Sequence, residues 1–79
     1  MASVTYYVVL PFIRDEEGLL CAEEAAEAPT AAAAISRAAR LAPQKAGVIA
    51  FSRSGDPAIG EFAPAVILAR HGETPEALD

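Results

Sequence analysis

The chain is poor in most of what catalysis, metal binding and nucleic-acid binding draw on. Its 79 residues include one cysteine, one histidine, one methionine and no tryptophan, and aromatic residues make up 6%. The single cysteine, Cys21, excludes an intrachain disulfide and points to a reducing compartment, so the cytoplasm is the expected location. A zinc site needs four Cys/His-type ligands, or three and a water. Cys21 and His71 cannot supply that set, so no metal and no cofactor are expected. Six basic residues stand against eleven acidic ones, a net charge of -5, and the basic residues are scattered. Binding to a nucleic-acid backbone needs clustered cations, so no nucleic acid is expected. The N-terminal apolar run, Val8 to Ile13, has no cationic stretch before it and is far shorter than the ~20 residues that span a bilayer; no membrane segment is expected.

What the chain does have is apolar bulk: 53% of its residues are hydrophobic. Such a composition folds rather than stays disordered, and the length fits one domain. The spacing predicts a helix over Thr30 to Ala42. Alanine loses no side-chain entropy in a helix, Thr30 can cap the first turn, and Pro43 stops the far end. Ala31, Ala34, Ile35, Ala38, Leu41 and Ala42 share one face, which is shallow, so the helix must lie close to what it covers. Val4 to Ile13, Ala46 to Arg53 and Ala65 to Arg70 are rich in β-branched and aromatic residues and read as strands. Arg14 to Gly18 reads as a hairpin loop and Ser54 to Gly60 as a second one. Leu19 to Ala28 reads as the returning strand of the first hairpin by context, with a helical turn as the alternative by propensity.

The expected fold is therefore α+β: two β-hairpins joined by one helix (β-β-α-β-β), forming an antiparallel four-stranded sheet in the order 2-1-3-4 with the helix on one face. Residues 1–72 form the domain, and 73–79 are expected to be a flexible acidic tail. One helix covers one face of such a sheet, yet the strands are apolar on both. A large uncovered apolar patch is unusual in a soluble monomer, and twofold self-pairing is the commonest way to bury it. The expected function is thus a non-enzymatic interaction module, a homodimer through the helix-free face, with Tyr7, Val9, Ile49, Phe51 and Ile67 as the candidate contact.

Two further readings compete. Ser52, Arg53, Ser54, Gly55 and Asp56 form the densest polar cluster and would suit a ligand loop for a small anion; the plainer reading is that Asp56 bonds its own turn while Arg53 meets solvent. The acidic balance would also suit an unidentified basic protein partner. Gly55 and Gly60 have the spacing of a phosphate-binding loop, but Glu61 and Phe62 follow where that loop needs Lys and Ser or Thr. A Cys21–His71 nucleophilic pair would require the two side chains to meet in space. Without such a meeting no catalytic residue is expected and the chain is not expected to be an enzyme.

The run A-x-x-x-A-x-x-L-A-P-x-x-A-G-V-I-A-F-S-R-S-G-D-P, then G-E-F and V-I-L-A-R-H-G-E-T-P, resembles a group of short bacterial proteins of unknown function. The A-F-S-R-x-G-D-P core, here Ala50 to Pro57, is the most specific part. The resemblance implies a bacterial source, supplies no activity, and singles out Phe51, Arg53, Gly55 and Asp56. More distantly the chain is similar to HicB-like antitoxin domains, which also set a Y-x-V strand, an acidic-glycine turn and a T-x-x-x-A helix in succession. Tyr7-Val8-Val9, Glu17-Gly18 and Thr30 to Ala34 take those parts. The proline and glycine-cysteine segment and the DNA-binding appendage of that family are missing here. The likeness implies an antitoxin-like partner of a basic protein.

Overall fold

The computed structural model describes residues 3–75. The described residues form an α+β fold with one α-helix and a curled antiparallel sheet. Strand β1 (Val4–Arg14) is central. It is followed by β2 (Leu20–Ala22), β3 (Ala26–Ala28), helix α1 (Ala31–Leu41), a short 3₁₀ turn (Ala42–Gln44), β4 (Gly47–Asp56), β5 (Glu61–Phe62) and β6 (Val66–Gly72). β1 pairs with β4 over nine consecutive residue pairs, from Val4 opposite Gly55 to Phe12 opposite Gly47. β2 and β3 line the far side of β1, while β5 and β6 line the far side of β4.

Six strand segments thus replace the four expected, and two prolines supply the physical reason. The Pro11 carbonyl accepts from the Glu23 amide at 2.8 Å, so the position where Pro11 lacks an N–H also faces the outer strand. A proline there cannot donate to the ladder. The outer strand breaks opposite it: β2 ends with Ala22 against Phe12, and β3 resumes with Ala26 against Val9. Three residues, Glu23 to Ala25, therefore face two, Leu10 and Pro11. At the other edge Pro64 breaks the strand itself. Phe62 pairs with Gly55 and Val66 with Ser52, so again three residues face two. β6 also carries a bulge where the partners step from Ala50–Ala69 to Phe51–Ile67. Bulges of this kind bend a strand and raise its twist, which accounts for the curl.

Both hairpin turns open on an aspartate and close on a glycine with positive φ, 81° at Gly18 and 70° at Gly60. Asp15 Oδ1 accepts from the amides of Glu17 and Leu19, each at 2.9 Å, and Asp56 Oδ1 accepts from Ala58 N–H at 2.9 Å. Residues 19–28 are extended at both ends, as the context reading expected, not helical.

The helix starts where the sequence places it, with Thr30 Oγ1 accepting from Ala33 N–H at 3.0 Å. Ala34 and Ala38 are fully buried against Val9, Ala28, Val48 and Ala50, with Tyr7, Leu41, Leu68 and Ala69 packed around them. Ile35, expected on the buried face, sits at its margin and is 40% exposed. The alanine face lets the helix lie close on the sheet, and β-branched residues suit the pleated surface beneath it.

The segment after β6 is held rather than loose at its start. Glu73 N–H donates to the Ala46 carbonyl at 2.9 Å, and the Glu73 carboxylate pairs with the Arg14 guanidinium. The Glu73 backbone lies where a side chain at Gly47 would project, its carbonyl oxygen overlapping the position of an added Cβ. Only glycine at 47 admits this crossing. Of the tail expected to be flexible, 73–75 is this strap, with Thr74 and Pro75 half-buried. Residues 76–79 lie outside the described residues.

Candidate interaction surface

Strand register decides which side chains share the helix-free face. Val9 is opposite Ala50 and Val8 opposite Phe51. Antiparallel partners point to the same side, and Val9 and Ala50 both pack on the helix. The opposite face therefore carries Val4, Tyr6, Val8, Leu10 and Phe12 from β1, and Ile49, Phe51, Arg53 and Gly55 from β4. It also carries Glu27 from β3, Phe62 from β5, and Ile67 and Arg70 from β6. Of the candidate contact residues, Ile49, Phe51 and Ile67 are on this face. Tyr7 and Val9 are not: they belong to the helix-side core. Both faces of β1 are apolar, so the hydrophobic pattern alone could not fix the register, and a one-residue slip exchanges the two sets.

The helix-free face is covered at one end and bare at the other. Near the strap, Ile49 is fully buried and Phe12 nearly so. Away from the strap, Val4 is 40%, Phe62 43% and Ile67 40% exposed, and the rings of Tyr6 and Phe62 lie 6.2 Å apart in a tilted pair. Ile59 and Val66 add exposed apolar surface at the same end. On the opposite face, helix length sets a parallel division. An 11-residue helix is ~16 Å long, whereas the 11-residue β1 runs ~36 Å. The outer half of the sheet stands clear as an arm, and the molecule measures 45 × 24 × 18 Å. Its radius of gyration of 13.2 Å exceeds the ~11.6 Å of a compact chain of this length.

The expected ligand loop is not a loop. Ser52, Arg53, Ser54, Gly55 and Asp56 form the outer half of β4, so alternate side chains diverge to opposite faces. Arg53 Nε donates to the Ala63 carbonyl at 3.2 Å, Ser54 Oγ bonds Thr5 Oγ1 at 2.8 Å, and Asp56 is committed to its turn. An open concavity of about 690 Å³ lies nearby, lined by Ser3, Ser54, Gly55, Gly60, Glu61, Phe62 and Ala63. It takes Ser54 and Gly55 from the expected set and leaves the others. Among the described residues the one ionisable group lining it is Glu61, which would repel an anion.

Cys21 and His71 do not meet. Cys21 is opposite Ile13 on β1 and His71 opposite Val48 on β4, which sets them three strand spacings, ~14 Å, apart. The exposed Cys21 thiol lies 3.6 Å from Asp15 Oδ2; burial and then Asp15 push it above the ordinary thiol range, away from the reactive thiolate. His71 Nε2 is buried and has no hydrogen-bond partner among the described residues. No cluster of three or more His, Cys, Asp or Glu side chains among the described residues could hold a metal ion. None of the described helices is long and apolar enough to cross a membrane. The fold and surface thus define a small α+β domain with an apolar sheet face. No protein family, no curated protein and no solved structure matches the chain.

Proposed function

We propose that the chain is a small, non-enzymatic interaction module that works as a homodimer through the helix-free face of its sheet. The observation that carries this reading is the bare arm, where Val4, Tyr6, Phe51, Phe62 and Ile67 gather on the sheet face opposite helix α1. A second copy of the same face would withdraw this surface from water at roughly 25 cal/mol per Å² of apolar area. The exposed, unpaired Cys21 is in keeping with work in a reducing cytoplasm.

The anion-binding alternative draws less support, because Arg53 already donates to a backbone carbonyl beside it. The antitoxin-like alternative rests on the acidic balance and the distant HicB-like resemblance.

Light scattering at tens of micromolar should give about twice the 8.2 kDa chain mass. Phe62→Glu and Ile67→Glu should each give the monomer with an unchanged far-ultraviolet spectrum. A wild-type chain that stays monomeric at several hundred micromolar would sink the reading.

A further inference from the structure

The charges on the helix-free face carry the homodimer reading one step further, to the arrangement of the two copies. This face has an acidic margin and a basic margin. Glu27 on β3 is level with Val8 and Phe51, and Arg70 on β6 is level with Leu10 and Ile49. Both side chains are exposed, and neither joins an ion pair among the described residues. Near the strap, Arg14 and Glu73 neutralise each other, as do Lys45 and Glu23. Arg53 stands on β4, inside these margins.

We infer that two copies pack face to face about a twofold axis that runs along the strands between β1 and β4, so that Glu27 of each copy meets Arg70 of the other. β3 and β6 each lie one strand outside the central pair, ~7 Å from that axis, so rotation about it carries each edge over the other. An axis across the strands would instead lay Glu27 along the Glu27 side of the second copy and Arg70 along the Arg70 side, both repulsive. The offset of two residues along the strands is ~7 Å, within the reach of an extended arginine. The same rotation lays Phe51 of one copy against Val8 of the other, and it brings the sheets into the aligned packing usual for two-layer β structures. Both straps fall at the same end, so the sheets close at the arm and stand apart at the strap.

This inference rests on the homodimer reading, and a charge-swap series separates the two. Glu27→Arg and Arg70→Glu should each weaken the dimer by roughly tenfold or more at low salt, because two attractions become two repulsions. The double variant carrying both changes should recover the dimer, and high salt should level all four proteins. Sedimentation equilibrium on wild type, both singles and the double reads this directly, with circular dichroism showing that each is folded. If both singles dimerise as the wild type does while Phe62→Glu is monomeric, the axis is wrong and the dimer stands. If the double variant is no better than the singles, the Glu27–Arg70 pairing is likewise overturned. A monomeric wild type overturns both readings.

Discussion

Single residues set the corners of this fold. Asp15 accepts two amides in its turn, chiefly Leu19, and these bonds hold its carboxyl below the ordinary carboxylate range. Arg14 does the same for Glu73 in the strap. A carboxylate depressed in the folded state contributes stability that is present above its unfolded value, near 4, and lost as pH falls through the folded value. The thermal midpoint should therefore stay level near neutrality and drop once the pH falls below about 4. Asp15→Asn keeps a neutral acceptor and removes the charge. It should be less stable than wild type at pH 7 and no different from it at the acid end, which a pH series of thermal melts would show. Much at this scale is legible in the sequence: the Thr30 cap and the Asp–Gly turns. The consequence of Pro11 is not. A proline inside an apolar run reads as part of the strand, and only the neighbour it faces reveals that it splits that neighbour in two.

At the scale of elements, helix α1 shows how a shallow face works. Ala34 and Ala38 have no exposed surface, so the space between helix and sheet is filled by alanine methyl groups and strand side chains. A larger residue there cannot be received without moving the helix. Ala38→Leu should destabilise by about 1–3 kcal/mol, the usual cost of overpacking. Ala39→Leu, on the exposed side, should stay within about 0.5 kcal/mol of wild type. Urea melts of the two would test this; equal stability would mean that α1 does not close on the sheet as described. The helix, both long strands and both hairpin turns follow from propensity and turn chemistry. The reach of β4 to Asp56 does not, because Ser54 to Asp56 has loop-like composition and becomes strand through its pairing with β1. That pairing dissolves the expected ligand loop, since a strand sends alternate side chains to opposite sides.

The whole molecule is long because its sheet is longer than its helix. A chain of this size has little core, and a domain of about 60–80 residues buries only some 60% of its unfolded surface. An arm outside the core adds to that cost unless a partner covers it. If the partner is a second copy, folding and association are linked, and the thermal midpoint should rise with protein concentration. The rise should vanish in Phe62→Glu. A midpoint independent of concentration from 5 to 500 micromolar, taken here as roughly the span over which a weak dimer would form, would oppose the proposal in a different way from a mass measurement.

The sequence by itself determined the fold class, the helix and its cap, the antiparallel hairpins, and the mismatch between one helix and strands apolar on both sides. These follow from local propensity, turn chemistry and period, which act over a few residues. Tertiary structure alone decided which apolar set faces the helix. Tyr7 and Val9 go inward while Phe51 and Ile67 go outward because β1 and β4 pair with Val8 opposite Phe51. Strand parity is a property of register, and register is a contact between residues more than forty positions apart. The same register brings Glu27 and Arg70 to opposite margins of one face, a placement that no local pattern in either segment contains.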